Sequence, residues 1–165
     1  MDGVKRSPFS RVYEFLARTI RADPTLDRVV RSWRLGLDGP AATEVREPSV
    51  NEYPAIVLTP SFGFADFYCS SAFVGPLTVR VAAAVAGTDV RDPMDLYMAV
   101  VKSLYPDSEA DRRAIHQRLV ELGGEAEYVL RFGPPSLEPI VGGDGTAWFK
   151  VAGSFGVNVV KDINP

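Results

Sequence analysis

His116 is the only histidine of the 165 residues and Cys69 the only cysteine. A general base or a metal ligand needs partners within reach, and the chain has neither a His-x-x-x-His pair nor a His/Cys cluster. His116 follows Ile115 on the flank of an expected helix, which is an ordinary place for a surface residue. Cys69 stands among aromatics, as a buried thiol would, and no second histidine is there to activate it. Asp89, Asp92 and Asp95 have the spacing of a comb for a hard cation. Turn and cap roles account for two of them, and the glycine and distal glutamate of a calcium loop are missing. Gly142-Gly143-Asp144-Gly145 lacks the lysine and hydroxyl of a phosphate-binding loop and precedes no helix, so it reads as a hairpin turn. Gly36 to Pro40 fits no dinucleotide fingerprint. These searches lead to no catalytic residue, no cofactor and no metal, and the expectation is a protein that is not an enzyme.

The elements that would carry any site are easier to read. Pro76 to Pro106 forms the centre. Leu77, Val79, Val81, Ala83 and Val85 alternate with Thr78, Arg80, Ala82 and Ala84, the period-two pattern of a strand with one bulky face and one small face. The small face would let a helix or a second subunit come close. Asp92-Pro93 reads as N-cap and first helical position. Met94, Tyr97, Met98, Val101 and Leu104 follow at helical spacing as the expected core stripe.

Before this centre, Ser7-Pro8 starts a helix whose face is Phe9, Val12, Tyr13, Leu16 and Ile20. Asp23-Pro24 opens a second, with Leu26, Val29, Val30 and Trp33 at helical spacing. Together they predict a helical arm over residues 7–34, with Arg11, Arg18, Arg28 and Arg31 on its back. Solvation explains such arginines; contact with an acidic partner or with phosphate is the sharper alternative. Residues 35–53 have no sustained period and form a long connection, a kind that is often functional or ordered by a partner. Pro54 to Pro60 is a short strand bounded by prolines, which belong at the edges and ends of sheets.

Phe62, Phe64, Phe67, Tyr68 and Phe73 then crowd one segment, as in a hairpin leading into the Leu77 strand. Their number exceeds what one strand face can hide. With Tyr53 and Phe155 they are the candidates for contact between subunits, because aromatics bury much area there at little entropic cost. After the centre, Ser108 and Asp111 approximate a capping box for a helix carrying Ile115, Leu119 and Leu122, closed by Gly123-Gly124. Glu127 to Phe132 reads as a strand broken by Pro134-Pro135. Ala147 to Val160 is a second long alternating strand, whose glycines suggest a bulge, a bend or a closely held backbone.

The expected fold is therefore α+β, in one domain over residues 1–165. A mixed, mostly antiparallel sheet of about four to six strands packs on three or four helices, two of them at 93–105 and 108–122 within a sheet region of 54–160. A hydrophobic fraction of 46% and a charged fraction of 24% suit a globular domain. A net charge of −3 argues against a dedicated nucleic-acid binder. The charge is uneven: residues 1–46 carry nine Lys or Arg against six Asp or Glu. One cysteine excludes an internal disulfide. MDGVKRSPFS lacks the apolar core of a signal peptide, and no apolar run is long enough to span a bilayer. The expectation is a soluble chain made in a reducing compartment, with no membrane partner.

The order of elements (helical arm, irregular loop, PAIVLTP, aromatic segment, LTVRVAAAV strand, acidic turn, DPMDLYMAVVKSLYP helix) resembles the tail-terminator and head–tail joining, or tail-completion, proteins of tailed bacteriophages. The resemblance covers roughly Phe9 to Pro106 and rests on hydrophobic patterns. It implies a structural virion protein of the tail and neck region, assembled in the host cytoplasm. Such a protein forms a homo-oligomeric ring, commonly a hexamer, that caps the tail tube and meets the head connector. The tube protein and the connector would be its partners, and DNA would pass non-specifically through the lumen, which Arg11, Arg18, Arg28 and Arg31 are candidates to line. A head-side adaptor or a baseplate component stays open within the same class. In a different class stands a monomeric ligand-binding domain or enzyme, with a pocket using Asp66, Tyr68 or Cys69.

Overall fold

The computed structural model describes residues 5–37, 50–63, 66–69, 72–123, 130–141, 145 and 147–162, of which 50, 66–69, 72–74 and 161–162 are described by backbone alone. Helix α1 spans Pro8–Arg21. The Ser7 hydroxyl accepts from the Ser10 amide at 3.2 Å, and Pro8 occupies the first turn where no amide is needed. All five residues of its expected face are buried. Helix α2 runs only from Pro24–Val29, capped by the Asp23 carboxylate, which accepts from the amides of Thr25 and Leu26.

The arm is not helical to residue 34. Val30 is already extended, and Trp33 belongs to strand β1 (Ser32–Arg34). The reason is local: two β-branched valines end the helix, and the Arg31 and Ser32 amides donate to the Pro54 carbonyl, which seeds a parallel pairing with β2 (Ala55–Phe62). Val29 consequently points to solvent.

β3 (Asp66–Cys69) forms a hairpin with the start of β4 (Ala72–Val85), as the aromatic segment predicts. A short 3₁₀ turn at Val50–Glu52 precedes β2. Helices α3 (Arg91–Leu104) and α4 (Glu109–Leu122) follow, then β5 (Arg131–Phe132), β6 (Ser136–Val141) and β7 (Ala147–Asp162). The seven strands make one sheet in the order β1-β2-β4-β7-β5, with β3 beside β4 and β6 beside β7. Every pairing is antiparallel except β1 with β2. The fold is α+β.

Helices cover one face of this sheet. Leu77, Val79, Val81 and Ala83 of β4 join Val12, Leu16, Ile20, Leu96, Val100 and Leu104 in the main core. Gly153 of β7 is what allows α3 to settle there. A Cβ at that position would stand 2.2 Å from the Tyr97 hydroxyl oxygen, so the strand backbone itself is the packing surface. Helix α4 ends at Gly123 in the left-handed conformation, with φ of 114°. The Gly123 carbonyl then accepts from the Val160 amide at 2.7 Å, which ties this helix end to the sheet.

Two details of α3 differ from the sequence reading. The helix begins at Arg91, and its cap residue is Val90, with no side-chain cap bond. Asp89 accepts from the Arg91 amide at 3.0 Å, doing from one turn earlier what Asp92 was expected to do. The buried stripe is Pro93, Leu96, Tyr97, Val100 and Leu104, while Met94 and Met98 are half exposed. The helix is rotated so that the broader aliphatic set, not the flexible methionines, meets the sheet.

Candidate functional site

The other face of the sheet carries no helix among the described residues. Its side chains sort lengthwise into two zones. At one end Tyr53, Ala55, Ala84, Ile140 and Trp148 form a small apolar cluster, with the Tyr53 and Trp148 rings edge to face at 5.5 Å. Toward the other end, cross-strand rows put Thr59 beside Arg80 and Ser154, and Ser61 beside Thr78, Gly156 and Arg131. Between the zones, Glu138 of β6 faces both Lys150 at 3.3 Å and Arg80 at 3.5 Å. Burial pulls the Glu138 carboxyl up. The Ser136 hydroxyl and the two cations outweigh that and hold it below its usual range.

The two rims of the sheet are its most distinctive surface. β1 pairs only Ala55 to Val57, so from Leu58 to Phe62 strand β2 has an open edge among the described residues. β5 and β6 form the opposite rim. Large apolar side chains stand exposed on both: Phe62 at 65% on one, and Val141 at 65%, Leu137 at 44% and Phe132 at 37% on the other. By register all four lie on the helix-covered side, since their β4 or β7 partners are Leu77, Ala147, Val151 and Phe155. Each rim therefore extends the covered, apolar face outward past the helices. Soluble domains usually blunt such edges with charge.

Of the aromatic contact candidates, Phe62 alone is shown on the surface, its ring 5.1 Å from that of Phe9. Tyr53 and Phe155 are buried within the subunit, at 4% and 2% exposure, and are removed from the contact surface. Phe64 lies outside the described residues, as do the side chains of Phe67, Tyr68 and Phe73, whose backbones run in β3 and β4. The sequence reading missed β6 and its Leu137 and Val141. The signal was present, because Leu137, Pro139 and Val141 alternate with Glu138 and Ile140, but prolines and glycines on either side masked it.

Arg11, Arg18, Arg28 and Arg31 are all exposed. Arg11 and Arg18 lie two turns apart on α1, and Arg18 pairs with Glu14 at 2.9 Å. Arg6 also reaches Glu14, and these two guanidinium groups hold its carboxyl below the ordinary value.

His116 lines a cleft of about 530 Å³ between the end of α3 and α4, with Arg112, Arg113, Tyr105 and an apolar floor of Leu104, Ile115, Leu119 and Leu130. Its two guanidinium groups are already engaged: Arg113 pairs with Glu109 at 2.6 Å, and Arg112 donates to the carbonyls of Pro106 and Asp107. Asp66, Tyr68 and Cys69 are on β3, and their side chains are outside the described set. Asp89 is held by Arg91 at 2.6 Å, which pushes its carboxyl down to about 2. Among the described residues no three His, Cys, Asp or Glu side chains are grouped to hold a metal, and no helix is long and apolar enough to cross a membrane.

Neither a protein-family model nor a curated protein matches the chain. The functional reading accordingly rests on the rims and faces just described.

Proposed function

We propose that this chain is a structural subunit that joins to copies of itself rim to rim, and that the ring so formed acts as a tail terminator of a tailed phage. The observation that supports this reading is the pair of sheet edges that carry no further strand among the described residues, each with exposed apolar side chains on the helix-covered side. Phe62 lies on one rim and Leu137 and Val141 on the other, so the two surfaces differ and a contact between them is heterologous. Heterologous contacts generate closed rings when the rotation per subunit allows it. Strand addition would extend the sheet at edges that have no further strand among the described residues, while the apolar residues bury one another. The ring would cap the tail tube and present its other surface to the head connector. The exposed Arg11, Arg18, Arg28 and Arg31 are the candidates to face passing DNA, or an acidic partner.

Mass by light scattering and negative-stain imaging test the assembly. Phe62→Lys and Val141→Lys should each open the ring, because each spoils one rim of every contact. Mixing the two variants restores one intact kind of contact and should give species heavier than either variant alone. A wild-type chain that stays monomeric, or a mixture no heavier than either variant alone, overturns the ring. Addition of the wild-type chain to polymerising tail-tube protein tests the role: elongation should stop, and continued growth would reject the terminator. Neutralising Arg11, Arg18, Arg28 and Arg31 together should lower particle infectivity without opening the ring; unchanged infectivity would remove the lumen assignment.

A further inference from the structure

Helix α3 has a second apolar stripe that its own subunit leaves largely uncovered, with only Val101 packed in part against the core. Met94 and Met98 are 50% and 49% exposed, Val101 is half-buried, and Tyr105, just past the last turn, is 59% exposed. The intervals of four, three and four residues are those of the seam between two packed helices, the alternating d and a positions of a heptad. At 100° per residue this stripe lies roughly 110° around the helix from the buried Pro93, Leu96, Tyr97, Val100 and Leu104. It faces sideways out of the helix layer. Its last member is fixed in place: the Arg112 guanidinium sits 5.2 Å from the Tyr105 ring centre while donating to the carbonyls of Pro106 and Asp107.

The charges beside the seam decide what covers it. With Met94 and Val101 at d, Asp95 and Lys102 occupy the two e positions, and both are exposed. The g positions are Tyr97 and Leu104, which are buried in the subunit's own core. Helices packed in parallel set e against g, so a parallel partner would meet neither charge. Helices packed antiparallel set e against e. A second copy of α3, antiparallel, therefore brings its Lys102 onto Asp95 and its Asp95 onto Lys102, with the methionines and valines between them. Among the described residues Lys102 pairs with Asp107 alone, at 3.8 Å and 91% exposed.

We infer that α3 is a self-complementary docking surface, and that two copies of this chain pair through it antiparallel about a two-fold axis. This contact is isologous, unlike the rim-to-rim contact proposed above, and does not depend on it. If rings form, α3 joins two rings or two subunits of adjacent rings; if none form, it makes a dimer.

Charge reversal in sedimentation experiments tests the pairing. Asp95→Lys sets like charges across the seam twice, and so does Lys102→Asp. Each should weaken self-association by about tenfold or more, and the double variant Asp95→Lys/Lys102→Asp should restore it. Met98→Glu should halve the mass of the largest species, from dimer to monomer or from double to single ring. All three positions are exposed, and unchanged circular dichroism and thermal melting would show that the variants remain folded. Phe62→Lys and Val141→Lys, which act on the rims, should leave the α3 pairing intact and end at a dimer. A wild-type monomer, charge-reversed single variants that associate like wild type, or a double variant no better than the singles each overturn the inference.

Discussion

Helices α1 and α4 are alike on paper and different in the molecule. Each has 14 residues, a serine N-cap and a regular end. Helix α1 buries seven residues, among them Val12, Leu16, Ala17 and Ile20, whereas α4 buries Leu119 alone. Helix α4 is laced instead by surface pairs such as Arg113 with Glu109 and Arg118 with Glu121, interactions that contribute little in water. Capping decides where a helix starts; the width of its apolar stripe decides how firmly the rest of the protein holds it.

The contrast can be broken by truncating one buried leucine on each helix. Leu16→Ala should cost about 3 to 4 kcal/mol in urea unfolding, since Leu16 is fully enclosed. Leu119→Ala should cost nearer 2 kcal/mol, because α4 can shift to refill the space. Equal losses would mean that α4 is as much part of the core as α1. Hydrogen exchange gives an independent measure, with the amides of α4 expected to open well before those of α1.

Alkaline titration sharpens the same point. Tyr13 of α1 donates its hydroxyl to the Leu35 carbonyl, and burial pushes its pKa up to about 12. Unfolded tyrosine ionises near 10. A raised folded-state value means that the stability it contributes is complete below about pH 10 and is lost as pH rises toward 12. Tyr53 behaves alike, since burial raises it to about 12, with Glu52 adding to the effect. Absorbance at alkaline pH should show these two tyrosines titrating late, and Tyr13→Phe should remove part of the alkaline destabilisation.

Smaller effects come from the caps and the acid range. Ser7→Ala should cost about 1 kcal/mol, and Ser108→Ala about half of that, because α4 contributes less to the global unfolding that the measurement reports. Glu14 is held below its usual pKa chiefly by its hydrogen bonds to Arg18 and Arg6. Its contribution is present above the unfolded carboxylate value and disappears as pH falls through the depressed folded one. Being near the surface it is modest, so Glu14→Gln should differ slightly from wild type at neutral pH and not at all in strong acid.

Much of this architecture was legible in the residues. The α1 stripe, both serine caps, the Gly123 stop, the long β4 and β7 strands and the small face of β4 all follow from local pattern. What was not legible depends on partners distant in sequence. Trp33 fits a helical face, but pairing with β2 draws it into a strand. Met98 fits the core stripe as well as Val100 does, and only the position of the sheet chooses between them. Tyr53 looks like a surface aromatic until Ile140 and Trp148 pack against it, and Phe155 until the main core takes it in. The rims were half visible, in Phe62 and the proline-bounded strand, and half hidden in the short β6.

The central strand of the sheet meets its longest partner late. β4 pairs with β7 at fourteen successive positions from Ala72 to Val85, yet β7 begins only at Ala147. On a ribosome adding roughly 5 to 20 residues per second, β4 leaves synthesis several seconds before the strand it needs. Throughout that interval one whole side of Leu77–Val85 is an unfilled template, open to the same strand of a neighbouring nascent chain. Slower translation between these two segments should therefore raise the insoluble fraction of the product, measured at matched expression.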